Sequence, residues 1–175
     1  MSALLKSSVS TVFKISGFSI DANASRTLKP GGWIELQDIL LQTQCDDTTM
    51  PADYKLGEFM QNLHKGFGAF NVNLRAFEQF ETLLTNTGFV NVTSKVWKVP
   101  IGTWPLDKEM KKIGLYNRCV IYDALQNVSL GPFTRGLGWS ANEVEVFLVD
   151  VRKQMMDAGI HSYYTFHVFY AQKPN

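Results

Sequence analysis

The chain has 175 residues, 45% of them hydrophobic, 13% aromatic and 19% charged, which is a globular composition within the size of one domain. Seventeen Lys and Arg against sixteen Asp and Glu leave a net charge of +1, so neither a nucleic-acid nor an anionic-membrane footprint is present. There is no long uninterrupted apolar run to span a bilayer, and two cysteines, Cys45 and Cys119, make neither a disulfide framework nor a zinc cluster. The expectation is a cytoplasmic protein without metal.

The first 25 residues lack a secretory pattern, because Ser7, Ser8, Ser10 and Lys14 interrupt the apolar stretch. They are Ser-rich and acid-poor as far as Asp21, but no Arg precedes Arg26, which argues against a mitochondrial presequence. Val9 to Ile20 is rich in Val, Ile, Phe and Thr and reads as a strand. Leu28-Lys29-Pro30-Gly31-Gly32 is a turn, and the loosely alternating run Trp33 to Ile39 is a strand. Tyr54 to Phe70 reads as a helix weakened by Gly57, Gly66 and Gly68. Leu74 to Thr87 is a firmer helix, with Leu74, Phe77, Phe80 and Leu84 at helical spacing and Gly88 at its C-terminal end.

Val90 to Val99 alternates as a strand and stops at Pro100. Pro105 to Leu125 predicts one or two helices, and Gly131 to Gly138 predicts a loop. Ser140 to Ala158 carries the clearest helix signal. Ser140 and Glu143 form a capping box, Val144, Phe147, Leu148, Val151 and Met155 share one face, and Gly159 ends it. Ser162 to Gln172 is the last strand.

The string LKPGGWIELQD resembles the entry to the fifth strand of class I S-adenosylmethionine-dependent methyltransferases. TGFVNVTSKVWKVPIGTWPLDKEMKKIGLYNR, LGPFTRGLGWSANEVEVFLVDVRKQMMD and HSYYTFHVFYAQKP are similar to the C-terminal half of LaeA-like fungal members of that family. The resemblance runs from Leu28 to Pro174. It implies a reduced α/β domain, Rossmann-like, over residues 28–175. Its mixed sheet has three to four strands, with helices and a helical insertion before the last strand, and residues 1–27 form an atypical leading segment. Strands five, seven and six lie side by side in that family, with seven antiparallel.

The family holds its cofactor in its first half, through a glycine-rich loop after strand one and a carboxylate for the ribose. Nothing before Leu28 supplies either, since Gly17 is the lone glycine there. Gly66-Phe67-Gly68 and Gly136-Leu137-Gly138 do not follow a strand and open a helix. No cofactor is therefore expected. The leading expectation is a cofactor-independent cyclase or isomerase of fungal secondary metabolism, acting on a small aromatic or apolar substrate by positioning and proton transfer. One alternative is S-adenosylmethionine-dependent methyl transfer, residual or completed by a partner chain. Another is a non-catalytic regulatory or interaction module. A strand-five edge without its usual neighbour predicts pairing with Val9–Ile20, or a homodimer or larger assembly.

Three histidines are available, and His64 in the first helix is the best proton-transfer candidate. Gln37 and Asp38 are expected at the C-terminal end of strand five, where open α/β sheets bind ligands. Asp38 is paired with His64 as a catalytic candidate. Trp104, Tyr116, Arg118, Phe133, Arg135 and Trp139 lie in the insertion that, by resemblance, covers the substrate. Aromatics with Arg suit a flat, partly polar ligand, although for any single one of them ordinary helical core is the favoured reading. Tyr163 and Tyr164 point to opposite faces of the last strand, and Tyr164 joins the substrate-binding set.

Overall fold

The computed structural model describes Thr11–Val12 and residues 28–175. Strand β1 is Thr11–Val12, β2 is Trp33–Gln44, β3 is Val90–Pro100 and β4 is Tyr163–Gln172. The helices are α1 (Lys55–Gly68), α2 (Phe80–Asn86, preceded by a 3-10 turn at Ala76–Gln79), α3 (Lys108–Gly131) and α4 (Ala141–Met155). A π-helical turn, Pro132–Gly136, follows α3 directly.

The sheet order is β1-β2-β4-β3. β1 pairs parallel with β2, Thr11 opposite Ile34 and Val12 opposite Glu35. The rest of the Val9–Ile20 strand expectation lies outside the described residues. Gly31 N–H donates to Lys173 O at 3.0 Å and Lys173 N–H to Gly32 O at 2.8 Å, so β4 ends beside the start of β2 and runs antiparallel to it. Ile101 N–H donates to Ser162 O at 2.9 Å, which sets the end of β3 beside the start of β4. Strands β2, β4 and β3 thus have the five-seven-six arrangement that the resemblance implies, with the middle strand reversed.

The chain divides into two compact units, Met1–Asp38 with Arg75–Val96 and His167–Asn175, and Ile39–Leu74 with Trp97–Phe166. In the first unit, alternation along β2 buries Ile34 and Leu36, and β4 contributes Val168, Phe169 and Ala171. The 3-10 turn and α2 bury Phe77, Phe80 and Leu84 at the predicted helical spacing. Phe80 meets Phe169 edge to face at 5.4 Å, and Phe77 lies 4.7 Å from His167. Burial holds the His167 imidazole below its ordinary value, against opposing pulls from Asp38 and Glu78.

The second unit has its own core. Leu56, Phe59, Met60 and Leu63 of α1 repeat at helical spacing and join Val144, Leu148, Val151 and Met155 of α4. α4 begins as predicted: Ser140 Oγ accepts from Glu143 N–H at 3.2 Å, and Glu143 accepts from Ser140 N–H at 2.7 Å. The loop expected at Gly131–Gly138 is instead the end of α3 and the π turn. Gly66 explains why glycines occur here. A Cβ on Gly66 would sit 2.8 Å from Pro132 Cβ, and one on Gly136 would sit 2.5 Å from Gly66 O. The glycines let α1 and the π turn touch, and they do not break either.

Candidate functional site

The sequence-derived candidates divide between the units. Gln37 and Asp38 belong to the first unit, and all the others to the second. β2 continues to Gln44, so Gln37 and Asp38 lie mid-strand and not at its C-terminal end. The strand persists because Ile39, Leu40 and Leu41 extend the apolar run beyond the polar pair. Gln37 Nε2 donates to Glu35 Oε1 at 2.5 Å.

His64 sits on the half-buried side of α1 and donates from Nε2 to Leu41 O at 2.9 Å. With Gly68, Asn71, Val72, Asn73 and Leu74 it lines an open cavity of about 440 Å³. Phe133 is fully buried, packed 5.6 Å from Phe59 and 5.1 Å from Trp139. It is core and offers no surface to a ligand. Trp139 also packs on Phe147 at 5.4 Å and borders a shallow cavity with Asn142, Glu143 and Val146. Arg135 lies over Phe70 at 5.7 Å. Tyr116 is exposed on α3, and Arg118 lies beside Gly102. Tyr164 donates to Asn117 Oδ1 at 2.5 Å, Asn117 donates to Pro100 O at 2.7 Å, and burial raises the Tyr164 phenol. Phe133 and Trp139 therefore pack the helices together, as the ordinary-core alternative requires.

Trp104 is the exception. Its indole Nε1–H donates to Ser162 O at 3.0 Å, and its ring stacks on His161 at 5.0 Å with 26° between planes. His161 was not among the expected site residues. Its Nδ1 lies 2.7 Å from Asp47 Oδ2, and its backbone N–H donates to Thr49 Oγ1 at 2.9 Å. Asp47 belongs to the segment that follows β2. Its other oxygen accepts from Thr49 N–H at 2.9 Å, Thr49 Oγ1 at 2.6 Å and Cys45 Sγ at 3.1 Å. These donors, Thr49 first, hold the carboxyl well below the usual carboxylate range. Next to it, Asp46 accepts from Lys98 and, at 2.6 Å, from Tyr163 Oη–H. Lys98 and Tyr163 lower the Asp46 carboxyl, and the Asp46 contact raises both partners. Lys98 Nζ also lies 4.8 Å from the centre of the Tyr163 ring.

These groups converge at the C-terminal ends of β2 and β3 and the start of β4, the edge where open α/β sheets bind ligands. His161 and Asp47 lie 114 residues apart, so no local spacing signals the pair. Among the described residues no His, Cys, Asp and Glu cluster could hold a metal ion. Among them, no helix is long and apolar enough to cross a membrane.

No family model matches the chain. It is 29% identical over 151 residues to a probable methyltransferase, tdiE, of Emericella nidulans, covering 86% of this chain and 48% of that one. It is 31% identical to the methyltransferase pytC of Aspergillus terreus, with 84% and 45% covered. The secondary metabolism regulator LAE1 of Cochliobolus heterostrophus is also 31% identical, with 84% and 48% covered. The chain is a homologue of the LaeA-like fungal methyltransferases. It spans about half the length of the curated relatives it matches. A Haemonchus contortus phosphoethanolamine N-methyltransferase 2 solved with S-adenosyl-L-methionine covers 94% of this chain and 33% of its own, at 17% identity and a TM-score of 0.39.

The expectation of no cofactor is overturned by these relatives, since methyltransferases that match 84–86% of the chain require a methyl donor. The described residues do not by themselves form its cradle. Such a cradle needs a glycine-rich turn between a strand and a helix. β2 passes to α1 through Cys45–Tyr54, which has no glycine, and β3 passes to α3 through a segment whose lone glycine is Gly102.

Proposed function

We propose that this protein serves S-adenosylmethionine-dependent methyl transfer in fungal secondary metabolism. The observation that carries the reading is the homology to methyltransferases over 84–86% of the chain. The β2-β4-β3 order with a reversed middle strand agrees with it. The described residues leave the methyl donor to be held by a partner chain, since the sequence before Leu28 has no glycine-rich loop. Cyclisation or isomerisation without a cofactor finds no support among the relatives. The donor, when bound, supplies an electrophilic methyl group. The described residues contribute the edge at which an acceptor molecule is oriented.

Calorimetric titration of S-adenosylmethionine and S-adenosylhomocysteine into the protein purified from its native host, with any chain that co-purifies, tests this. Micromolar, mutually competitive binding supports it, and absence of binding at millimolar concentration overturns it. A second reading, regulation of secondary metabolism, draws on the regulator LAE1 among the relatives. Altered metabolite production in a deletion strain, restored by a variant that no longer binds the donor, supports that reading over the first.

A further inference from the structure

We propose that Trp104 and His161 form a binding site for a neutral, planar aromatic ligand carrying a hydroxyl group, whose O–H donates to His161 Nε2. This deepens the methyl-transfer reading by naming the class of its acceptor, and it rests on that reading for the ligand's role.

The argument starts from the tautomer. Asp47 accepts four hydrogen bonds and stays ionised, so the imidazole nitrogen facing it, Nδ1, carries the proton. In the neutral imidazole Nε2 is then left with a lone pair. It makes no hydrogen bond among the described residues, and the side chain is 36% exposed. A histidine that merely anchors a loop has no need of an oriented acceptor facing outward. Trp104 gives the acceptor a platform, fixed by its bond to Ser162 O and by the stack on the imidazole. Flat ligands pair with such rings at stacking distance.

Charge selects the ligand further. Asp46 and Asp47 are adjacent carboxylates, of which Lys98 pairs with Asp46 alone, so an anionic ligand is disfavoured. Nε2 as an acceptor calls for a ligand that brings a hydrogen-bond donor. What fits is a neutral aromatic molecule with one good donor, such as a phenol. His161 then both orients the hydroxyl and polarises its oxygen, which is what a methyl acceptor requires.

The probe is 4-methylphenol, neutral near pH 7, compared with 4-methylanisole, which has the same ring and no donor. The phenol is expected to bind about tenfold more tightly than the ether, one hydrogen bond's worth, with a red shift of its absorbance. His161→Phe keeps the stack and removes Nε2, so it should abolish the shift and equalise the two ligands. Trp104→Leu should weaken both. Long-range nitrogen NMR on the unmodified protein should show Nδ1 protonated and Nε2 moving as 4-methylphenol is added, a readout that needs no variant to fold. Equal affinity for phenol and ether, or an Nε2 resonance that does not move, overturns the proposal and leaves the pair as a loop anchor. Neither probe needs a methyl donor. A negative result here therefore leaves the methyl-transfer reading standing, and absent donor binding leaves this site standing.

Discussion

Gly114→Ala should destabilise the protein, although alanine is the better helix former. Gly114 lies in the first third of α3 and is buried. Its carbonyl accepts from Gly102 N–H at 3.0 Å, which ties the helix to the turn leaving β3. A Cβ on Gly114 would meet Gly102 O at 2.0 Å, Gly102 C at 3.2 Å and Pro100 Cβ at 3.3 Å. Since Cβ atoms essentially never approach within 3.0 Å of such an atom, helix and turn must separate by at least ~1 Å. The opposing atom is backbone, so no rotamer change relieves the clash. Helix propensity favours Ala by about 1 kcal/mol. Overpacking costs about 1–3 kcal/mol, and the broken Gly114–Gly102 hydrogen bond about 1 more. A net loss of about 2 kcal/mol follows, and a Tm lower by roughly 4–8 °C for a chain of this size. Gly68→Ala is the matched control, because a Cβ there meets nothing within 4 Å. It should be neutral, or stabilising by about 0.5–1 kcal/mol. Urea denaturation followed by tryptophan fluorescence and far-ultraviolet circular dichroism measures both. Gly114→Ala matching the parent, or both variants falling equally, would refute the close-approach argument.

Three further outcomes are expected. Ser140→Ala removes the acceptor of the α4 capping box and should lower stability by about 1 kcal/mol, read as a shifted urea midpoint. Phe133→Ala opens a hole among Phe59, Trp139 and Phe147 and should cost about 3–5 kcal/mol; a loss under about 1 kcal/mol would show that Phe133 is not core. The third concerns acid. The folded-state Asp47 pKa lies below the ordinary carboxylate value of 3.8, so its contribution to stability is present above that value and is lost as pH falls through the folded pKa. Acid unfolding of Asp47→Asn should therefore depend less steeply on pH below about 4, and an Asp47 side-chain carbon resonance titrating at the ordinary carboxylate position would contradict it.

What was legible in the sequence was local. The Ser140–Glu143 box, the apolar face of α4 and the β-rich runs of β3 and β4 each lie within a few residues, where chain geometry alone dictates the outcome. The β2-β4-β3 order was legible through the resemblance and not through spacing. Glycine misled, because it has two physical meanings. Gly31 and Gly32 do mark a turn before β2, whereas Gly66, Gly114 and Gly136 mark places where backbones touch, and only the fold distinguishes the two. Pro132 fell within the expected loop, yet it stands at the first position of the π turn that follows α3 directly.

The site was hidden for a related reason. An aromatic stripe has the same pattern whether it faces a ligand or a neighbouring helix, and Phe133 and Trp139 face neighbours. His64 was favoured because it sat in a helix near the expected pocket, yet its Nε2 is committed to Leu41 O. His161 had no local companion, since Asp47 lies 114 residues away on the segment after β2. Its neighbours did carry a hint. Ile160 and Ser162 are buried while His161 stays part-exposed between them, so the approach to β4 turns this one polar ring outward. A pairing that depends on two strand ends meeting is a property of the sheet. It becomes readable only once β2, β4 and β3 are set side by side, and that is also why Asp47→Asn should disturb His161 while leaving every local helix signal intact.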